Sequence, residues 1–343
     1  MTTIKDIAKK ANVSTGTVDR VIHNRPGVSK KTKAHIEKII KEHNFQINTI
    51  ASTLALNKTY KIAVLIPEAS TENEFWSAPK KGIDAATEDV KNFRVSTTFF
   101  LYSQFESASY TNAFNTIITN NFDAVLIAPV FQKETIEIVA KLEQKSIPYI
   151  FINTQIEGLK PLSFIGQDSF KSGYLGAKLM KLMLPENSNI LIPVFRLNKG
   201  NHTSINQRIN GFKTYFEEKN SPVNVTEVEI PNFTDFESIT KQLNLAFNNT
   251  TLHGVFVPSS NTFLISKYLE AGSLKNVRVI GFDTNNKNLT YLKNDTIDFL
   301  ISQNPFSQGY EGIKLLSDYL VMNKTPNTHY YTPLTIVTKE NID

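Results

Sequence analysis

The stretch VSTGTVDRVIHNRPGVS, residues 13–29, decides how the chain begins. Ser14 directly precedes apolar residues at helical spacing, so its hydroxyl predicts the start of a helix. Pro26 and Gly27 end that helix, because proline cannot continue a helix and glycine supplies the turn. Ser29 then predicts the cap of the next helix. The stretch is therefore predicted to be a short helix, a turn and the beginning of a further helix.

Helical patterns flank this stretch on both sides. Thr3 and Asp6 have the spacing of a capping box at the start of a first helix. A third helix is predicted to run from Lys30 to about residue 43. Its inward side chains would be Ala34, Ile36, Ile39 and Ile40. Short helices joined by a tight turn indicate a helix-turn-helix module, whose second helix lies in the DNA major groove. The positions facing base edges would be Thr15, Gly16, Thr17 and Arg20, and those facing phosphates would be Ser14, Ser29, Lys30 and Lys31.

The charge distribution favours the same interpretation. Residues 1–60 hold 11 Lys and Arg against 4 Asp and Glu, whereas the other 283 residues hold 26 against 28. A basic excess confined to one small segment is typical of a protein that binds a polyanion. Charge alone leaves open a solvated basic face on a helical domain that binds no nucleic acid.

The sequence of these helices is similar to the DNA-binding headpiece of the lactose-repressor (LacI/GalR) family. The matches at fixed spacing are Asp6, Ala8, Ala11, Val13, Ser14, Thr17, Val18, Arg20, Val28, Ser29, Thr32, Phe45 and Asn48. Asp19 replaces the serine usual in the family. Because a phosphate would repel its carboxylate, we expect Asp19 to face the first helix or another protein group. Gly16 offers no side chain at one of the two usual specificity positions.

In that family a short hinge helix follows the headpiece, and the segment NTIASTL, residues 48–54, resembles it. The resemblance implies that Leu54 wedges into the minor groove and kinks the duplex. Packing of Leu54 on the core is the alternative. The DNA-binding set that the resemblance implies is Ser14, Thr15, Gly16, Thr17, Arg20, Ser29, Lys31, Thr32, Asn48, Ala51 and Leu54.

Beyond Tyr60, apolar runs alternate with helical patterns. The runs predicted to be buried parallel strands are KIAVLIP, VSTTFFLY, AVLIAP, PYIFIN, NILIPVF, NVTEVEI, GVFVPS and VRVIGFD. Alternation of strands and helices predicts a doubly wound α/β fold, and two successive sets predict two lobes with a cleft between them. Ligands bind at the carboxyl ends of the strands in such sheets.

Polar and aromatic side chains that follow apolar runs, or lie on the next helix, are the candidate effector contacts. They are Phe75, Trp76, Asn153, Thr154, Asp168, Arg208, Ser259, Asp283 and Gln303. Carboxylates and amides can bond paired hydroxyls, and aromatic rings can stack on a C–H face, so the set favours a polyhydroxylated ligand. Trp76, the only Trp of the chain, fits a hydrophobic core equally well.

This region resembles the periplasmic-binding-protein type I fold of the same repressors. The segment RINGF, which begins at Arg208, and the segment IGFD, which ends at Asp283, match ligand-binding segments of sugar-binding relatives, as does Gln303. The resemblance implies a sugar or sugar derivative as effector. Asn153-Thr154 replaces the Asp-Arg pair of many relatives, so no particular pentose or hexose is implied.

Several classes of protein are disfavoured by what the sequence lacks. Cys is absent, which excludes disulfides and thiolate zinc sites. There is no run of 18 apolar residues and no signal-peptide pattern, so we expect a cytoplasmic protein without a membrane partner. Phosphate-binding, metalloprotease and hydrolase motifs are missing, and the six His lack metal-ligand spacing. We therefore predict no enzyme, no cofactor and no metal.

Together these features predict an α/β protein with a three-helix helix-turn-helix headpiece and a two-lobed doubly wound domain. The predicted divisions are a headpiece (1–47), a hinge helix and linker (48–60), and an effector-binding and dimerisation domain (61–343). Within that domain the first lobe is predicted to comprise 61–155 and 287–322, and the second 156–286 and 323–343. The predicted function is a homodimeric transcription regulator, a repressor, that binds a pseudo-palindromic operator in double-stranded DNA under control of a carbohydrate. The alternatives are a solute-binding protein or a sugar-active enzyme on the same fold.

Overall fold

The computed structural model describes residues 3–22, 25–43, 45, 58–70, 74–195, 203–274 and 276–342. It divides the chain into two compact units, residues 1–57 and residues 58–343. This boundary falls inside the segment predicted to be the hinge helix and linker.

The described part of the first unit contains three short helices. They are α1 Ile4–Ala11, α2 Thr15–Ile22 and α3 Lys30–Glu42. The predicted capping box is present, with the Thr3 amide donating to Asp6 Oδ2 at 2.9 Å. Each helix contributes buried residues to one apolar cluster, and Ile36 of α3 is fully buried. Ala34 was predicted to point inward but is exposed. Two residues along a helix turn a side chain by about 200°, so Ala34 and Ile36 face opposite sides.

The second unit contains two six-stranded sheets. The first sheet consists of β1 Tyr60–Pro67, β2 Val95–Tyr102, β3 Ala124–Ile127, β4 Tyr149–Ile152, β5 Ser163–Gly166 and β11 His329–Tyr331. The second consists of β6 Asn189–Phe195, β7 Asn224–Ile230, β8 Gly254–Phe256, β9 Arg278–Phe282, β10 Phe299–Ser302 and β12 Thr335–Val337. All of the apolar runs predicted to be strands form strands.

Helices connect these strands. They are α4 Ser77–Val90, α5 Ser107–Thr119, α6 Gln132–Gln144, α7 Ser169–Met183, α8 Thr203–Glu218, α9 Phe236–Asn249, α10 Thr262–Ala271, α11 Asn286–Lys293 and α12 Pro305–Met322. Short 3-10 turns occur at Glu74–Trp76, Lys91–Phe93 and Lys339–Asn341.

Both sheets repeat one strand order. The first runs β2-β1-β3-β4-β5-β11 and the second runs β7-β6-β8-β9-β10-β12. The pairings are parallel, apart from β12, which is antiparallel to β10. The strand order changes direction beside β1 in the first sheet and beside β6 in the second. At such a point the loops that follow neighbouring strands lead to opposite faces of the sheet and leave a crevice between them.

The apolar runs are continuous because helices cover both faces of each sheet. In β1, Ile62 and Val64 point into the core shared with α4 and α12, whereas Ala63 and Leu65 point into the core shared with α5 and α6. The second sheet is covered by α7 and α8 on one face and by α9, α10 and α11 on the other. Each lobe is therefore a helix–sheet–helix sandwich, as predicted for a doubly wound fold.

The chain crosses between the lobes after β5, after β10 and after β11. The predicted lobe bounds put β5 and β11 in the second lobe and β10 in the first, and these placements are wrong. β5 pairs with β4, β11 pairs with β5, and β10 pairs with β9. None of these three short strands is among the eight predicted ones, and a run of three or four residues does not reveal the neighbour with which it pairs.

Candidate functional site

The start of α2 presents an exposed polar surface. Ser14 caps the helix, because its Oγ accepts a hydrogen bond from the Thr17 amide at 3.2 Å and lies 2.9 Å from Thr17 Oγ1. Thr15, Gly16 and Arg20 are exposed, and Thr17 is half-buried. The residues predicted to face base edges therefore lie together around the first turns of this helix.

The start of α3 repeats this arrangement. Ser29 Oγ accepts from the Thr32 amide at 3.1 Å and lies 2.8 Å from Thr32 Oγ1, and Lys31 is exposed. Amides at a helix N-terminus with a nearby ammonium favour an anion such as phosphate.

Asp19 forms an ion pair within the headpiece. Arg25 Nη1 donates to Asp19 Oδ2 at 3.2 Å. The expectation that the Asp19 carboxylate faces another protein group is therefore confirmed. The predicted hinge contacts Asn48, Ala51 and Leu54 lie outside the described residues.

In each lobe of the second unit, the fourth strand ends in a residue with left-handed backbone. Asn153 follows β4 and Asp283 follows β9, and both have φ of 68°. Asn and Asp adopt this conformation more readily than most residues. The Asn153 amide still donates to Ile165 O at 2.9 Å, and the Asp283 amide donates to Ile301 O at 3.1 Å. The same local geometry thus presents a polar side chain at the carboxyl end of both sheets.

Hydrogen bonds join these two side chains through Gln303, which follows β10. Gln303 Nε2 donates to Asp283 Oδ1 at 2.8 Å, and Gln303 Oε1 accepts from Asn153 Nδ2 at 3.3 Å. Thr154 Oγ1 donates to Asn153 Oδ1 at 3.3 Å and lies 3.5 Å from Ser204 Oγ of α8. Because Asn153 belongs to the first lobe and Asp283 to the second, the network bridges the lobes.

Arg208 of α8 is buried next to this network. Its Nη1 donates to Pro258 O at 2.9 Å, and its guanidinium lies 4.1 Å from the centroid of the Phe282 ring. Burial lowers the pKa of Arg208 to about 10, and the carboxylate of Asp283 opposes that shift. Among the residues that the structure describes, Arg208 Nε has no hydrogen-bond partner. Arg208 therefore holds a positive charge and one unused donor in a buried position.

Asp283 is also buried, at 5% exposure. Burial raises the pKa of its carboxyl group to about 6, while Arg208 and the hydrogen bond from Gln303 act in the opposite direction. Removal from water therefore outweighs the attraction of the nearby guanidinium. The pair forms a site with one negative and one positive group.

A cavity of about 530 Å³ opens beside Asp283, between the start of α4 and the loop after β9. The first lobe lines it with Ala69, Ser70, Glu74, Phe75, Ser77, Ala78 and Lys81. The second lobe lines it with Asp283, Thr284, Asn285 and Asn286, and Pro305 completes the wall. A cavity of this size accommodates a small organic molecule.

Three of the residues predicted to contact the effector make local contacts in the structure. Trp76 is 3% exposed and belongs to the apolar core of the first lobe, edge-on to Phe75. Asp168 caps α7, because its Oδ1 accepts from the Lys171 amide at 3.0 Å. Ser259 Oγ accepts at 3.5 Å from the Asn261 amide. The strand-end rule gives the position of the backbone but not the direction of the side chain, so contact of these three residues with an effector stays a prediction.

Other contacts between the lobes were not predicted. Glu74 Oε2 accepts from the Asn286 amide of α11 at 3.1 Å. The Phe105 ring, after β2, lies 6.4 Å from the Phe233 ring, after β7, between centroids. Both rings follow strands, so reading the ends of β2 and β7 as well would have found them.

The described residues show neither a metal-binding cluster nor a membrane-spanning helix. No group of three His, Asp or Glu side chains in this part of the chain could hold a metal ion. Within the same part, no helix is long and apolar enough to cross a membrane.

Two family models match the chain. The model of bacterial regulatory proteins, lacI family, matches residues 3–48. The model of the periplasmic binding protein domain matches residues 62–324, more than half of the chain. The chain belongs to the lacI family of bacterial regulatory proteins. The first unit of this lacI-family protein carries the family's helix-turn-helix domain, and the second unit is the periplasmic-binding-protein-like domain, as the resemblance implied.

Curated relatives of this lacI-family protein are also regulators. It is 25% identical to the HTH-type transcriptional regulator DegA of Bacillus subtilis (strain 168), over 82% of this chain and 81% of DegA. It is 27% identical to the HTH-type transcriptional regulator MalR of Staphylococcus xylosus, over 66% of this chain and 64% of MalR. It is 28% identical to catabolite control protein A of Staphylococcus aureus (strain Mu50 / ATCC 700699), over 44% of each chain.

Solved structures share the fold of the second unit. A structure from Bacteroides fragilis, described as a LacI transcriptional regulator, has a TM-score of 0.75 and 29% identity, covering 83% of this chain and 98% of that one. The glucose-galactose binding protein GanP of Geobacillus stearothermophilus has a TM-score of 0.72 and 17% identity, covering 83% and 99%. This lacI-family protein is a DNA-binding transcription regulator. The solute-binding alternative accounts for the second unit but not for the lacI-family match of the first.

Proposed function

We propose that this protein is a homodimeric, cytoplasmic repressor whose binding to a pseudo-palindromic DNA operator is controlled by a small carbohydrate held between the lobes. The observation that carries this proposal is the buried network of Arg208, Asp283, Gln303 and Asn153 beside a cavity of about 530 Å³.

The chemistry of the network suits a neutral polyol. The Asp283 carboxylate accepts from hydroxyls, the amides donate and accept, and the unused Arg208 Nε donates. Because one guanidinium and one carboxylate balance each other, a ligand with its own net charge would leave one charge uncompensated in a buried site. Phe75 lines the cavity and offers an aromatic face to the C–H side of a sugar.

The headpiece supports the DNA half of the proposal. Arg20 is exposed on α2, and an arginine there can bond guanine O6 and N7 together. Two headpieces of a dimer would read two half-sites related by the two-fold axis of the protein. Coupling between effector and operator sites is typically about 1–3 kcal/mol. We propose no catalytic role, because the relatives named above are regulators.

A thermal-shift screen tests the effector half. The panel contains D-glucose, D-galactose, D-tagatose, D-arabinose and D-allose, since proteins with the fold of the second unit are described with these sugars. Sugar phosphates and uronic acids complete it. A ligand at 100 times its Kd adds about 2.7 kcal/mol of stability. An operator-selection experiment on random DNA, with and without the stabilising sugar, then measures the coupling.

The outcomes separate the parts of the proposal. Stabilisation by a neutral sugar that also changes operator affinity supports it. Stabilisation by charged compounds alone contradicts the neutral ligand, and stabilisation without any change in operator affinity contradicts the coupling. Selection of single half-sites instead of paired ones contradicts the dimer.

A further inference from the structure

Thr332 lies in one crossover segment of the second unit and forms hydrogen bonds at the start of the other two. It lies between β11 and β12 and is 3% exposed. Its amide donates to Gly166 O at 2.8 Å, at the end of β5, and its Oγ1 donates to Gln303 O at 3.0 Å, directly after β10. Thr332, in the segment that leaves β11, is therefore hydrogen-bonded both to the end of β5 and to the segment that leaves β10.

The carbonyl oxygen of Gln303 receives a second hydrogen bond. Gln308, in the first turn of α12, is fully buried, and its Nε2 donates to Gln303 O at 3.0 Å. Both donors are buried, so neither hydrogen bond can be replaced by bulk water without cost. The Gln303 carbonyl oxygen thus accepts one hydrogen bond from α12, through Gln308, and one from the segment after β11, through Thr332.

The side chain of the same residue belongs to the effector network. Its Nε2 donates to Asp283 at 2.8 Å in the second lobe, and its Oε1 accepts from Asn153 at 3.3 Å in the first. A shift of the Gln303 carbonyl would move this amide, and buried networks lose much of their stability when one member is displaced.

We propose that Thr332 and Gln308 are positioning residues for the effector site: their hydrogen bonds to the Gln303 carbonyl hold the Gln303 amide between Asp283 and Asn153. The effector part of this inference rests on the proposed function, whereas the geometric part concerns the chain alone. Thr332 also makes the effector network dependent on how the crossovers are arranged, and therefore on the relation between the lobes.

Thr332→Val removes the hydroxyl and keeps the shape, and Thr332→Ser keeps the hydroxyl. Thr135→Val is the matched control. Thr135 is fully buried in the first lobe, and its Oγ1 donates to Phe131 O at 2.6 Å and lies 3.0 Å from Tyr110 Oη. The control therefore loses a buried hydrogen bond from a threonine hydroxyl to a carbonyl oxygen, as Thr332→Val does. Its partners Phe131 and Tyr110 do not belong to the network of Gln303.

The first readout needs no sugar. The side-chain amide resonances of Gln303 are followed in protein labelled with nitrogen-15 glutamine and are assigned by their loss in Gln303→Met. We expect these resonances to move in Thr332→Val and in Gln308→Met, to stay in place in Thr135→Val, and to return in Thr332→Ser. Unmoved resonances in Thr332→Val, or an equal movement in Thr135→Val, would overturn the proposal.

The second readout is the Kd of the panel monosaccharide that stabilises the native protein most. A net hydrogen-bond contribution corresponds to a Kd on the order of fivefold weaker in Thr332→Val, with little change in Thr135→Val. An equal loss in both variants overturns the positioning role. If no panel sugar binds the native protein, the carbohydrate proposal fails, and the Gln303 resonances still decide the positioning role.

Discussion

Asp283 shows how one residue ties stability to the proposed effector site. Burial raises the pKa of its carboxyl group to about 6 in the folded protein, from the ordinary value of 3.8. When the pKa of a carboxyl group is higher in the folded state than in the unfolded state, the folded protein binds more protons at pH values between the two pKa values. Its contribution to the free energy of unfolding is therefore complete below pH 4 and is lost as pH rises through about 6. At neutral pH the site retains a charged group that weakens the fold.

The Asp283→Asn variant tests this cost. The free energy of unfolding of the native protein minus that of the variant should fall by up to about 3 kcal/mol between pH 4 and pH 7. Arg208 stays charged throughout this range, so its lost partner adds a constant offset. Urea unfolding followed by the fluorescence of Trp76, the only Trp, measures both proteins. A difference that stays constant across this range would contradict the raised pKa.

Gly16 is the second residue whose replacement is informative. A Cβ at Gly16 would meet nothing closer than Ser14 Oγ at 3.8 Å, so α2 has room for a methyl group. Gly16→Ala should stabilise α2 by about 0.5–1 kcal/mol and slow hydrogen exchange of its amides. It should also change the base selected opposite this position, because a methyl group can contact thymine.

Gly27→Ala is the contrasting variant. Space around Gly27 is open, but its φ of 101° is a conformation that alanine rarely adopts. It should accelerate exchange in the headpiece where Gly16→Ala slows it. If both variants accelerate amide hydrogen exchange, the open space around Gly16 does not determine the stability of α2.

At the scale of elements, the strands and caps could be predicted from the sequence because their causes are local. Ser14 and Ser29 precede helices whose amides need an acceptor, and KIAVLIP is apolar throughout because helices cover both faces of its sheet. The same strand-end rule found Asn153, Asp283 and Gln303. It left open whether Trp76 lies in the cleft or in the core, where the structure packs it, because the direction of a side chain depends on packing that no local pattern encodes.

The helix pair α4 and α12 is held close by glycine. A Cβ at Gly82 would lie 2.0 Å from Phe306 O, a backbone atom that cannot swing away. Gly82→Ala should therefore force the helices apart and lower the free energy of unfolding by about 1–3 kcal/mol or more. Gly272→Ala is the control, since the nearest atoms there lie at 3.4 Å and belong to a side chain. Urea unfolding measures the free energy of unfolding of both variants. An equal loss in both would show that the close approach of Gly82 to Phe306 does not set the stability of this helix pair.

At the scale of the whole molecule, the sequence predicted two lobes but not where the chain crosses between them. β5, β10 and β11 are short and are not among the eight predicted strands, and only their pairing partners assign them to a sheet. The crossovers after these strands carry Gln303 and Thr332, on which the proposed effector site depends. The crossover segments between the two lobes were therefore the part least accessible to sequence patterns.

Closure of the two lobes should depend on Glu74. Its carboxylate accepts from the Asn286 amide at 3.1 Å at the start of α11, across the cleft. Because this contact is partly exposed, we expect it to contribute only about 1 kcal/mol, which is about a fivefold change in the ratio of closed to open molecules. Glu74→Ala should lose this contribution, whereas Glu74→Gln retains an acceptor oxygen and should lose less.

The distance between the lobes can be measured directly, because the chain has no Cys and accepts a spin label at each of two introduced positions. Lys133→Cys on α6 and Lys241→Cys on α9 place exposed labels on the first and second lobe. Pulsed electron paramagnetic resonance should show a longer, broader distance distribution in Glu74→Ala. Glu88→Ala removes the same charge from α4 on an exposed side chain paired with Lys91, and it should leave the distribution unchanged. Equal broadening in both variants would mean that net charge, and not the contact with Asn286, sets how far the lobes open.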